Sequence, residues 1–129
     1  MLNPAAEFEY SPRVRELFDQ LKHAGLPDRA NARALETTAG AVEQGAQIRL
    51  QLALSGDRIT AARYQAYGCP HFLAACESLA TWLEGRTVAQ LAQWRWRDVE
   101  AELQVPGAKR ARLLVLDDAL RALRGAATT

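Results

Sequence analysis

Cysteine and histidine are scarce in this chain, with two of each among 129 residues. A disulfide scaffold needs several cysteine pairs, and a zinc site needs three or four closely spaced ligands, so neither class of fold is expected. The two cysteines, Cys69 and Cys76, lie seven residues apart in a segment of helical periodicity. At about 1.5 Å of rise per residue they stand roughly 10 Å apart along the axis, farther than a disulfide spans. Two free thiols are expected. No charged-then-apolar leader opens the sequence and no apolar run approaches membrane-spanning length, which sets the expectation of a reducing, cytoplasmic setting without membrane contact. Neither sign of charge dominates: 16 Lys and Arg against 15 Asp and Glu leave a net charge of +1. Such a balance supplies no pull toward nucleic acid or acidic lipid. Internal repeats and low-complexity tracts are also absent.

What is present is ordinary globular material, 49% hydrophobic and 24% charged, in a length that suits one domain. Residues 1–9 show no sustained periodicity and read as a loose arm, 10–124 as the core, and 125–129 as a fraying tail. Ser11 and Pro12 form a helix start before Val14, Leu17, Phe18 and Leu21, and that helix is expected to end near Gly25. Leu26, Pro27 and Asp28 are turn residues, and the polar stretch after them reads as loop or weak edge strand. Ile48, Leu50, Leu52 and Leu54 alternate with Gln47, Arg49, Gln51 and Ala53, the pattern of a half-buried strand. A turn at Ser55-Gly56-Asp57 leads into a returning strand whose phase changes, so a bulge is expected near Ala61 and Ala62.

Beyond Cys69 the periodicity is helical. Phe72, Leu73, Cys76, Leu79, Ala80 and Leu83 form one apolar stripe, closed by Gly85. Thr87 and Gln90 make a capping box, Asp98 is placed to cap a short helix, and Val105-Pro106-Gly107 breaks it. A last helix from about Ala108 carries Leu113, Leu116, Leu120 and Leu123. The class is α+β: a small antiparallel sheet of two or three strands with helices packed on one face, the other face left open.

Tyr67-Gly68-Cys69-Pro70 is the stretch with chemical content. A strand ends in a glycine turn and a helix begins with a cysteine at its mouth, where unpartnered N–H groups and the helix dipole favour thiolate over thiol. Cys76 lies on the apolar stripe and reads as a small buried hydrophobe. His71 is the one histidine near Cys69 in sequence and reads as a solvated or capping side chain. It is also the sole candidate base for a thiol enzyme, and His23 shows no evident partner. Trp94-Arg95-Trp96-Arg97 interleaves aromatic and basic residues, but the acidic residues after it favour core or partner packing over nucleic-acid binding.

These segments, taken in order, resemble the scaffold proteins of iron–sulfur cluster assembly: IscU, SufU and the N-terminal domain of NifU. Tyr10-Ser11 with Val14 is similar to the family's opening helix, and Gly40-Ala41 and Gly45 to the glycines of its first ligand loop. Leu50-Gln51 is similar to its central strand, and Ala62-Arg63-Tyr64 with Tyr67-Gly68-Cys69 to its central cysteine motif. Trp82 and Gly85 stand behind that motif at the family's spacing. Val105-Pro106-Gly107-Ala108-Lys109 stands where the family has its chaperone-binding motif, with less bulk, so chaperone recognition is expected to be weakened. Asp118-Ala119 matches the last helix. The resemblance runs from about residue 10 to about residue 122.

The resemblance also shows what has changed. The family lines its site with three cysteines, an aspartate and a histidine. Here the first cysteine position is Gln44, the aspartate position Ala46, the histidine position Ala111 and the third cysteine position Arg112. Cys69 alone remains as a sulfur acceptor or cluster ligand, with His71 and Lys109 as neighbouring pocket residues and Glu43 as a possible oxygen donor. One thiol does not hold a cluster or zinc in a single chain. An arginine near Cys69 would repel a cation and stabilise a thiolate.

The resemblance therefore implies a divergent, non-enzymatic scaffold-like protein. It would take sulfur at Cys69, or bind iron or an iron–sulfur cluster through a site shared with a partner or a second copy, as a monomer or weak homodimer. The expected partner is a cysteine desulfurase or another assembly protein. The alternative is an interaction module that regulates such proteins without carrying cargo.

Overall fold

The computed structural model describes residues 10–25 and 33–127; the expected arm at 1–9 and the turn at 26–28 lie outside them. Helix α1 spans Pro12–Asp19, followed by strands β1 (Arg33–Ala41), β2 (Ala46–Ser55) and β3 (Arg58–Gly68). Helices α2 (Pro70–Leu83), α3 (Trp96–Leu103) and α4 (Arg110–Ala127) complete the chain, with short 3₁₀ turns at Val42–Gln44, Val88–Gln93 and Gly107–Lys109. The strands form one antiparallel sheet in the order β1-β2-β3.

The alternation in β2 produces the expected two-faced strand. Ala46, Ile48, Leu50, Leu52 and Leu54 are buried and join Phe72, Cys76, Leu79, Leu83, Leu116 and Leu120 in one core. Each large aliphatic or aromatic side chain so buried stabilises by roughly 1.5–3 kcal/mol before entropy is set against it. On the opposite face Glu36, Thr38, Gln65 and Tyr67 stay exposed. The polar stretch before Gly45 is a full strand, β1, because its backbone pairs with β2 from Arg33↔Leu54 to Ala41↔Ala46. The bulge falls at Thr60, one residue before the expected place, since Ala53 pairs with Ala61 and Leu54 with Ile59.

Three boundaries differ from the sequence expectation. Helix α1 starts as read, with the Ser11 hydroxyl accepting from the Val14 N–H at 3.2 Å and donating to the Leu103 carbonyl at 2.8 Å. It stops at Asp19 and not near Gly25, because the following segment is captured by the free edge of β3. The Tyr64 N–H donates to the His23 carbonyl at 3.1 Å, and the Gly25 N–H to the Tyr64 carbonyl at 2.8 Å. Asp98 is not the cap of α3: Arg95 holds that position in extended conformation and Asp98 sits in the first turn, where a negative charge still favours the helix. Finally, α4 continues through Ala127, which packs on the core. The Thr87 and Gln90 capping box forms, with the Thr87 N–H donating to the Gln90 side chain at 2.8 Å. Trp94 is 7% exposed and belongs to the core.

Candidate functional site

Cys69 is the N-cap of α2, at the junction with β3. Two neighbours fix the junction. Gly68 is required because the Phe72 ring lies against it; a Cβ there would sit 2.6 Å from Phe72 Cδ2. Pro70 occupies the first helical position, where its missing N–H costs nothing. Cys69 itself is extended, with φ −74° and ψ 167°, and its side chain makes no capping hydrogen bond. The residue is half-buried and its side chain is not committed to the helix end.

The four residues that the resemblance sets at ligand positions are brought together. Gln44, Ala46, Ala111 and Arg112, with Val115, line a cavity of about 110 Å³. Ala46 pairs with Gly68 across β2 and β3, so the cavity lies at the same end of the sheet as Cys69, although Cys69 is not one of its lining residues. Gly45 turns the chain above it in the left-handed region, at φ 86°. A Cβ at Gly45 would stand 3.3 Å from an Arg112 terminal nitrogen, so the guanidinium lies directly beneath the turn. Arg112 Nε is buried and meets no acceptor among the described residues. Glu43 is exposed.

His71 is not the solvated side chain expected from its place in the first turn of α2. It is 2% exposed, its ring tilted by 51° against the Tyr10 ring with centroids 4.6 Å apart, and its Nδ1 accepts from Lys109 Nζ at 3.3 Å. Lys109 is thus drawn to His71 and the Tyr10 ring, 5.6 Å from the ring centroid, and does not line the cavity. Val105 is buried just before it, so the segment in the place of the chaperone motif is partly packed into the fold.

The donor chemistry does not fit a cluster or zinc held by this chain alone. No group of three or more His, Cys, Asp or Glu side chains among the described residues is arranged to hold a metal ion. What faces the cavity is an amide, aliphatic groups and a permanently charged guanidinium, which disfavours a cation. Both cysteines are free, and burial pushes the Cys76 thiol well above its ordinary pKa, leaving it inert.

A second polar cluster was not legible. His23 has two carboxylate partners: Nδ1 is hydrogen-bonded to Glu77, and Nε2 lies 2.7 Å from Glu84 Oε1. Glu77 also accepts from the Tyr64 hydroxyl at 3.0 Å, and Glu84 from Arg63 at 2.8 Å and the Ala62 N–H at 3.0 Å. Burial works against charged His23, but Glu77 and Glu84 outweigh it and raise its pKa. Burial would likewise raise Glu84, yet the Ala62 N–H, His23 and Arg63 hold it below its usual value. Burial, reinforced by Glu77, pushes the Tyr64 phenol up. The one sequence signal was Glu77 itself, a carboxylate set among apolar residues of α2.

With this geometry in place, comparison with known proteins is informative. The model of the NifU-like N-terminal domain matches residues 9–125. The iron–sulfur cluster assembly protein IscU of Plasmodium falciparum is 26% identical over 112 residues, covering 87% of this chain and 69% of that protein. The cluster assembly scaffold protein IscU of Rickettsia prowazekii is 25% identical over 114 residues, covering 88% and 87%. Among solved structures, a SufU protein described as a cluster assembly scaffold of the SUF system, from Fervidobacterium islandicum, superposes with a TM-score of 0.69 at 13% identity, over 92% of this chain and 98% of that one. At that identity the superposition speaks for the fold. The family match spans nearly the whole chain, and the α+β arrangement agrees with it: this chain belongs to the family of NifU-like N-terminal domains.

Proposed function

We propose that this chain is a divergent, scaffold-like protein of iron–sulfur cluster assembly that accepts sulfur at Cys69 and engages iron or a cluster only when a partner supplies further ligands. The observation that carries the reading is the contrast at one end of the sheet: a half-buried cysteine free of capping bonds, and at the same end a cavity lined by amide, aliphatic and guanidinium groups. The relatives named as assembly and scaffold proteins support it over a module that carries no cargo.

The chemistry asked of Cys69 is sulfur exchange. Its thiolate attacks the outer sulfur of a donor persulfide, R–S–S⁻. The donor S–S bond breaks as a new one forms at Cys69, the donor leaves as a thiolate, and the terminal sulfur stays on Cys69 as the persulfide anion. No external oxidant or reductant enters, since sulfur passes between two thiols. A cysteine desulfurase is the class of protein that presents such a donor. The N-terminus of the 14-residue α2 carries no acidic residue in its first turn to repel the incoming persulfide anion.

Incubation with a cysteine desulfurase and cysteine without oxygen, followed by mass mapping of the peptides, tests this. One added sulfur atom on the Cys69 peptide, with none on the Cys76 peptide and none in Cys69→Ala, is expected. An unmodified Cys69 peptide, with the desulfurase shown to be loaded, refutes it.

A further inference from the structure

The cavity beneath Gly45 has a property that sulfur exchange at Cys69 does not use. Arg112 carries a full positive charge, its Nε is buried without an acceptor among the described residues, and it enters none of their ion pairs. Several other arginines are paired: Arg13 with Glu102, Arg49 with Glu36, Arg63 with Glu84, Arg110 with Glu100 and Arg121 with Asp117. A buried N–H of a charged group left without a partner is costly, and such groups are rare in folded proteins. Where one persists beside a cavity, a ligand that satisfies it is the economical explanation.

We propose that this cavity binds a small anion that presents a terminal, polarisable sulfur atom, as thiosulfate does. Arg112 supplies the charge and a planar set of donors, and the Gln44 side chain supplies an amide N–H₂ at the rim. The volume, about 110 Å³, accommodates an anion of about five heavy atoms in place of several waters. Gln44 and Ala111 are exposed, so the ligand enters from solvent at their side. The choice of sulfur over a hard oxyanion rests on the remaining walls. Ala46, Ala111 and Val115 are aliphatic and offer no hydrogen bonds to replace lost water. A strongly hydrated anion loses more there than a polarisable one does, and a guanidinium is itself weakly hydrated.

The site does not depend on Cys69, which does not line it. It therefore stands or falls separately from sulfur exchange. The test is calorimetric titration of the full chain with sodium thiosulfate and, in a parallel arm, sodium sulfate, at matched ionic strength. Saturable thiosulfate binding with a dissociation constant on the order of 1 mM is expected, with sulfate several-fold weaker. Arg112→Gln should weaken thiosulfate by roughly tenfold or more. Cys69→Ala and Arg110→Gln, the latter paired with Glu100 elsewhere on the surface, should leave it unchanged. Thermal melts check that each variant folds, and Arg112→Lys, which keeps the charge and loses the fork, replaces Arg112→Gln if that variant does not. Absence of saturation up to about 20 mM, more than tenfold above the expected constant, sulfate binding as tightly as thiosulfate, or binding indifferent to Arg112 would each overturn the proposal.

Discussion

Two polar clusters sit at opposite ends of α2, and they are built in opposite ways. Toward its C-terminal end, His23, Arg63, Glu77 and Glu84 balance two positive against two negative side chains, and both carboxylates collect donors from side chains and backbone. At its N-terminal end, Cys69 makes no capping bond and Arg112 Nε has no acceptor among the described residues. A satisfied network fixes structure, whereas a buried group left unsatisfied in a well-packed fold marks the place where the fold meets something else. The first cluster fastens the segment after α1 to the β3 edge. The second is the end to which the proposals above assign chemistry.

The contrast is broken most severely by removing Glu77. Glu77→Ala leaves His23 and the Tyr64 hydroxyl without their shared carboxylate in a buried setting, and a loss of about 3–5 kcal/mol is expected in urea unfolding. Gly68→Ala acts at the junction of β3 and α2, beside Cys69: its Cβ would press on the Phe72 ring, and a loss of about 1–3 kcal/mol is expected by the same measurement. Arg112→Met should instead raise stability by about 1 kcal/mol, because an unpaired charge is replaced by an apolar side chain of similar reach. A destabilised Arg112→Met would mean that the two clusters are alike after all.

The pH dependence sharpens the same comparison with a subtler effect. His23 has a raised pKa in the folded state, so its contribution is fully present below about 6.5 and fades as pH rises through the folded value above that. Glu84 is held low, so its contribution is present above about 4.5 and fades as pH falls through the lower folded value. Melting temperature should therefore be highest between these values and decline toward alkaline pH. In His23→Gln the alkaline decline should flatten; an unchanged slope would remove His23 as its source.

Much of the fold was legible because burial and local geometry agreed. The period-two run from Ile48 to Leu54, the apolar stripe of α2 and the Ser11-Pro12 start all form as read. Where the sequence left the outcome open or misjudged it, a long-range backbone partner decided it. β1 carries few apolar residues and is a strand because β2 offers it an edge, and α1 ends early because Tyr64 captures His23 and Gly25. At the candidate site, the convergence of Gln44, Ala46, Ala111 and Arg112 was expected from resemblance, and they do share one cavity. Val115 was missed, although it stands four residues after Ala111 on the same helix face. His71 and Lys109 were expected as neighbouring pocket residues, but the two side chains turn toward each other and Tyr10, which nothing local in the sequence signals.

The most direct test of the central claim, that this end of the molecule handles sulfur and does not hold a cluster unaided, is a single anaerobic reconstitution. The chain is incubated with iron, cysteine and a cysteine desulfurase, then separated from the other proteins and read by visible absorbance and intact mass. The account predicts a chain carrying one extra sulfur that depends on Cys69, without the absorbance of a cluster. A cluster retained by the isolated single chain, or no sulfur on Cys69 while the desulfurase is loaded, would contradict it.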